Sequence, residues 1–477
     1  MAHPRTAAVL AQLDKSFDAS VQRLSDWLRI PSVSTDPQYK ADCKRAADWL
    51  VADLKSLGFD AQARPTPGHP VVFAHHPGPK NYAGPHILFY GHYDVQPPDP
   101  LELWESGPFE PVIKTGPRGK RIVARGAVDD KGQVMTFVEA LRAWKTGAGE
   151  IPCRITMLIE GEEESSSVNL ERFLKETRDE LVGPAASRNG GPCDLVLVSD
   201  TGMWDESTPA ITTSLRGLTY TEVILHGPSH DLHSGGYGGA VYNPINELTE
   251  ILGTLHDRDR RVTIPGFYDK VRPIDPALRA QWRGLGFDDA EFLREVGLDR
   301  TVGETGYSIL ERICARPTCD INGIRGGYIG VGAKTVIGSS CAAKVSFRLV
   351  PDQDPAEIRD LFRAWLEARI PPGCRWEFLD HGMGKPYVVD ESNPYLPAAA
   401  AALREAAGKD PVYIGTGGSI PVVQTFKSVL GLDTLLVGFG LEDDRVHSPN
   451  EKFELKCFAL GQKSHATLLA TFAEMKR

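Results

Sequence analysis

The sequence predicts an α/β protein whose mostly parallel central sheet is interrupted by a separate α+β domain. Three observations carry this expectation. Up to about residue 200, short apolar runs alternate with helix-spaced stretches, the texture of a parallel sheet with crossover helices. Near residue 213 the texture changes to strands with one exposed face. After about residue 385 the first texture returns, so one α/β domain is expected from two separated segments, 1–212 and 385–477, flanking an inserted domain at 213–384.

Residues 10–30 carry apolar positions at helical spacing, and "IPSVS" ends that helix. "VVFAH", "HILFYGH", "CRITMLIE" and "DLVLVSD" are short, uninterrupted apolar runs and read as buried strands. Between them, "KGQVMTFVEALRAW" places Val134, Phe137, Val138 and Leu141 at i, i+3, i+4 and i+7, one face of an amphipathic helix. In the inserted domain "LTYTEVILHG", "CAAKVSFRLVPD" and "CRWEFLD" read as strands, and "AEIRDLFRAWLEARI" as a helix burying Ile358, Leu361, Phe362 and Trp365. The stretch 257–320, rich in charge, Pro and Gly, reads as an insertion within that domain. "YLPAAAAALREAAG" is an Ala-rich helix, "DTLLVGFG" a buried strand, and a closing helix is expected from about 452.

A chain of 477 residues exceeds one ordinary core, and 41% hydrophobic with 24% charged residues is a soluble globular composition. A net charge of −10 argues against nucleic acid or an anionic membrane as partner, since both need concentrated positive charge. The beginning lacks a signal-peptide core and no apolar run is long enough to span a bilayer, so a cytoplasmic protein is expected. The eight cysteines form no CxxC pair, and reduced, mostly buried thiols are expected.

Four strand-like runs end in acids or histidine. "HILFYGHYD" delivers His92 and Asp94, "ARGAVDDKG" Asp129 and Asp130, "RITMLIEGEEE" four glutamates, and "DLVLVSD" Asp200. Singly, each acid reads as a helix cap or a solvated loop residue. Together they would converge beyond the carboxyl ends of the strands, where open α/β sheets bind ligands. Crowded carboxylates repel unless cations neutralise them or their pKa values rise. Imidazole and carboxylate without thiolate suit zinc, manganese or cobalt, and two histidines with several acids could hold two metals sharing one carboxylate.

The stretches "GHYDVQPP", "GAVDDKGQ", "EGEEESSS", "LVSD", "DLHSGGYGG", "GAKTVI", "FRLVPDQDP", "GGSIPV" and "HSPNEKF" follow one another along nearly the whole chain. In that order they resemble the dinuclear zinc metallopeptidases that include carnosinase, cytosolic nonspecific dipeptidase, aminoacylase, glutamate carboxypeptidase and succinyl-diaminopimelate desuccinylase, and most closely the dipeptidase branch. The resemblance implies a zinc-exopeptidase-like catalytic domain interrupted by a lid and dimerisation domain, with two Zn2+ per subunit, Mn2+ or Co2+ being alternatives. It implies His92 and Asp200 on one metal, Glu164 and His447 on the other, and Asp129 bridging both. It makes Glu163 the general base that takes a proton from water activated between the metals. Asp94 would orient His92, and the Asp129–Asp130 peptide is cis in relatives. Glu160 and Glu162 are then structural or solvated. His233 would stabilise the oxyanion, in dimeric relatives across to the partner subunit. Arg348, helped by Thr335 and Ser419, would bind the substrate carboxylate, whereas Arg216 is either a helper or an ion-pair partner.

Ser166 stands where relatives often have Gly, and Gly415 and Thr416 stand where this branch commonly carries an Arg-Glu pair. The resemblance thus implies a homodimeric dipeptidase acting on small peptides, with an N-acyl-amino-acid deacylase as the alternative.

Overall fold

The computed structural model describes residues 3–390, 392–417 and 420–476. The chain divides into two compact units, one comprising Met1–Thr213, Val389–Tyr413 and Thr425–Arg477, the other Ser214–Val388 and Ile414–Gln424.

In the first unit the apolar runs form the expected sheet. Its four middle strands, in the spatial order Arg154–Glu160, His86–His92, Leu195–Val198 and Thr434–Leu436, are parallel. Antiparallel neighbours close the sides: Val71–His76 and Asp60–Arg64 on one, Ala210–Leu215 on the other. Alternation along His86–His92 sends Ile87 and Phe89 into the core shared with the helices Thr6–Leu28, Lys131–Ala143 and Leu455–Ala473. Tyr90 points to the opposite face, against Phe426 at 5.2 Å. Phe89 and Phe137 stack at 3.9 Å with their planes 4° apart, and both are fully buried. The helix spacing read from "KGQVMTFVEALRAW" therefore has its partner on the sheet.

One small element was not legible in the sequence. Val112–Gly116, Gly119–Val123 and Lys452–Glu454 form a three-stranded antiparallel sheet, with Ile122 opposite Phe453. The closing helix accordingly begins at Leu455, because residues 452–454 pair as a strand first. Buried charge disguises this strand. Lys452 Nζ lies 2.6 Å from Asp444 and 3.2 Å from Glu454.

Two glycines mark close backbone approaches near these strand ends. A Cβ on Gly132 would stand 1.8 Å from the Ala127 carbonyl oxygen, and one on Gly438 would stand 2.0 Å from the Thr201 oxygen.

The second unit is built on an antiparallel sheet in the order Thr318–Gly326, Ser340–Leu349, Gly217–His226 and Arg375–Gly384. Helices Pro244–Gly253 and Pro355–Glu367 cover one face, burying Leu248, Leu252, Ile358 and Phe362 against Leu225, Val345 and Phe347. The second helix starts on Asp354, whose carboxylate accepts from the Ala356 amide at 2.9 Å, and Pro355 follows at the first helical position. The edge strand Thr318–Gly326 lies partly in the stretch that reads as insertion, because most of its side chains are solvent-facing.

Among the described residues no helix is long and apolar enough to cross a membrane. The eight cysteines form no disulfide, and all but Cys374 are buried. Replacing Phe137 by Ala removes a fully buried stacked ring and should cost about 3–5 kcal/mol of stability, measured by urea unfolding.

Candidate metal centre

His92, Asp94, Glu163, Glu164 and Asp200 reach the site from the carboxyl ends of parallel strands or from the loops that follow them. His92 closes its strand and Asp94 lies two residues on; Glu163 and Glu164 follow the Arg154–Glu160 strand; Asp200 follows Leu195–Val198. Asp129 comes from the loop before Lys131–Ala143, and the Asp129–Asp130 peptide is cis.

The side chains meet in two overlapping groups. His92, Asp129 and Asp200 form one, and Asp129, Glu164 and His447 the other, each offering ligand atoms within 4.8 Å of one another. His92 Nε2 is 3.2 Å from Asp129 Oδ1 and 3.9 Å from Asp200 Oδ2. On the other side of Asp129, His447 Nε2 is 3.0 Å from Oδ2 and 3.3 Å from Glu164 Oε2. Asp129 thus turns one oxygen to each histidine.

Backbone-directed contacts hold these groups in place. Glu451, fully buried, accepts from the amides of Val128 and Asp129 with one oxygen, and from Gly126 and the Arg125 guanidinium with the other. The Asp94 carboxylate accepts from the amides of Glu163 (3.3 Å) and Glu164 (3.0 Å). His92 Nδ1 lies 3.1 Å from the Asp94 carbonyl oxygen and 3.4 Å from its carboxylate, so Asp94 serves the glutamate turn as much as the imidazole. Asp130 occupies the N-cap position of the Lys131 helix without capping it; its carboxylate accepts from the His92 amide at 3.0 Å. The sequence offered no sign of the roles of Glu451 and Asp130, which depend on long-range geometry.

The four glutamates of "IEGEEESSS" separate by environment. Glu160 is buried and accepts hydrogen bonds from Tyr90 (3.0 Å) and Ser167. Glu162 is buried and bound at both oxygens by the Asn169 amide. Both are structural rather than solvated. Glu164 is bound by Gln96 at 2.7 Å and faces His447. Ser166 takes φ 77°, a left-handed conformation that glycine adopts freely and that costs another residue roughly 1 kcal/mol.

The electrostatics call for cations. Burial pushes Glu163 up to about 9, reinforced by Asp200 and Glu164 against the pull of His92. Burial and Asp129 push Asp200 up to about 7. Burial also opposes ionisation of Asp129, but His447 and His92 overcome it and keep its carboxyl below the usual range. Asp129 and Glu164 hold His447 up to about 10. His92 Nε2 is buried without a hydrogen bond of good geometry, an imidazole nitrogen positioned for a different partner. Two divalent cations fit this donor set: they would neutralise the acids and occupy the lone pair of His92 Nε2.

The remaining sequence-predicted residues lie in the second unit. His233 and Val336 pair in a two-residue bridge; His233 Nδ1 accepts from the Gly235 amide at 2.9 Å, and the Ser234 amide donates to the Thr335 carbonyl at 3.0 Å. His233 and Thr335 are therefore neighbours, both exposed. Arg348 lies on the Ser340–Leu349 strand, half-buried at a cavity. Arg216 has no carboxylate partner among the described residues; its guanidinium donates to the carbonyls of Gly417 and Arg316. Ser419 lies outside the described residues.

Known proteins share both sequence and architecture with this chain. A family model described as peptidase family M20/M25/M40 matches residues 88–471. Cys-Gly metallodipeptidase DUG1 of Saccharomyces cerevisiae is 31% identical over 99% of both chains. The solved structure of the yeast di-peptidase Dug1p superposes with a TM-score of 0.80 at 29% identity, covering all of both chains. That of the M20 family metallo-carboxypeptidase Sso-CP2 from Sulfolobus solfataricus does so with a TM-score of 0.80 at 30% identity, covering 96% of this chain and 99% of the other.

Because a cation must displace protons from His447 and His92, lowering the pH should weaken metal binding. The apparent zinc affinity of the metal-free chain should rise about tenfold or more per pH unit between about pH 6 and 8, measured by competition with a chromogenic chelator.

Proposed function

Since the chain belongs to peptidase family M20/M25/M40, we propose that it hydrolyses the amide bond of dipeptides with a dinuclear zinc centre, Glu163 acting as general base. The observation that carries this reading is the pair of donor groups sharing Asp129, with Glu163 on the turn that also presents Glu164. His92 and Asp200 would hold one ion and Glu164 and His447 the other, with Asp129 available to both. Bound there, the ions would supply the Lewis acidity that makes water nucleophilic at neutral pH and polarises the scissile carbonyl.

The protein's own groups do the rest. Glu163 removes a proton from the attacking water and returns it to the leaving amine. The Asp94 carboxylate fixes the backbone of Glu163 and Glu164, so base and ligand keep their separate directions. We assign His233 to the developing oxyanion, and Arg348, with Thr335 and Ser419, to the substrate carboxylate, because a planar guanidinium binds a carboxylate through two parallel hydrogen bonds.

Eight cysteines without a disulfide support a cytoplasmic location. Exposed apolar side chains in the second unit, including Ile324, Ile329 and Val331, support a homodimer formed through that unit, which we read as a lid. The named relatives, a Cys-Gly metallodipeptidase and a di-peptidase, support dipeptides as substrates. Gly415 and Thr416 favour the N-acyl amino acid as a second reading, since no acidic side chain is available there for a free amine.

Glu163→Ala should reduce turnover by at least about a thousandfold while the chain keeps two metal ions, whereas Glu164→Ala should lose metal; mass spectrometry of the purified variants and a ninhydrin assay distinguish them. A panel of free dipeptides and N-acyl amino acids should show turnover of the dipeptides. Turnover confined to the N-acyl set would replace the dipeptidase reading with the deacylase one.

A further inference from the structure

The second unit contains a cavity of about 520 Å³, the size that accommodates a small-molecule ligand. Its floor is the sheet face opposite the helices. Thr318 pairs with Arg348 and Asp320 with Ser346 on that face, while Cys319 and Phe347 point the other way into the core. Five arginines line the cavity, namely Arg216, Arg260, Arg312, Arg316 and Arg348, against two acids, Glu304 and Asp320, so positive charge is in excess.

Local pairing does not remove that excess. Glu304 is engaged twice, by Arg316 through both oxygens (2.7 and 2.8 Å) and by Arg261 (2.8 Å). Arg312 donates to the Glu304 carbonyl and the Thr301 hydroxyl, and to no carboxylate among the described residues. Arg260 is exposed, and its guanidinium has no hydrogen-bond or ion-pair partner among the described residues. Arg216 is largely withdrawn from water with only carbonyls as partners, and burial and the neighbouring Arg348 push its pKa down to about 10. A guanidinium buried beside another cation without a carboxylate is costly unless an anion completes it.

We propose that this cavity receives the side-chain carboxylate of the residue whose α-carboxylate is held by Arg348, so that the enzyme prefers dipeptides ending in glutamate or aspartate. The inference rests on the dipeptidase reading and on the place given to Arg348 in it. A mono-anionic ligand would satisfy one guanidinium and leave Arg216 uncompensated. A second carboxylate three or four bonds from the first supplies the missing acceptor, and Arg260 at the rim adds attraction that salt would screen.

Ala-Glu and Ala-Gln differ almost solely in charge and serve as the probe pair. The metal-loaded wild-type chain should show kcat/KM for Ala-Glu at least about tenfold above Ala-Gln, mainly through KM. Arg260→Ala and Arg216→Gln should each shrink that ratio several-fold, and 0.5 M NaCl should do the same to the wild type. Equal turnover of the two peptides, or a ratio unchanged in both variants, overturns the proposal. Should neither peptide be cleaved while N-acyl amino acids are, the dipeptidase reading fails instead. Calorimetry on the same full chain then decides the pocket alone: glutarate should bind at least about tenfold tighter than its mono-amide, with the difference reduced in Arg260→Ala, and equal affinities overturn the proposal.

Discussion

Mutual repulsion among carboxylates gathered at one dry edge of a sheet governs this molecule. Asp129, Asp200, Glu163 and Glu164 are brought together with two histidines, and without counter-charge their acids would take up protons rather than remain ionised. Everything around them resists relaxation. The glutamate turn hangs from Asp94, the aspartate loop from Glu451, and the His92 backbone from Asp130. A site held rigid against its own repulsion binds divalent cations well because the unfavourable crowding has already been met by folding.

The acids in the supporting layer outnumber the histidines in the site, and each binds backbone amides. A carboxylate that accepts two N–H groups positions a loop more narrowly than apolar packing can, because its acceptor directions are set by geometry as well as distance. This is why Glu451, with four donors, can be buried completely.

Much of this was legible in the sequence. The apolar runs ending in His92, Glu160 and just before Asp200 are the parallel strands, and their order of charge at one edge already suggested convergence. What remained hidden had physical reasons. Lys452–Glu454 is a strand whose charged residues pair internally, so its sequence resembles the wet start of a helix. Thr318–Gly326 is an edge strand with Asp320 and Gly323 in its span, weak strand formers tolerated because one side faces solvent. Asp130 mimicked a helix cap, and its contact with the His92 amide depends on a crossover connection that no local pattern records. The glutamates were alike by composition and were told apart by the family resemblance alone, which left open whether Glu160 and Glu162 were solvated; burial and partners make them structural.

The small sheet joining Gly119–Val123 to Lys452–Glu454 carries a consequence for how the chain is made. His447 and Glu451 are synthesised more than three hundred residues after Asp129, and the Thr434–Leu436 strand that lies between Leu195–Val198 and Ala210–Leu215 is equally late. A nascent chain emerging from the ribosome therefore carries an open sheet and a ligand set that lacks His447 until these later residues arrive. Hydrolytic competence therefore waits on residues made long after the other ligands, and the open strand edge in the interval is where a chaperone would have to act.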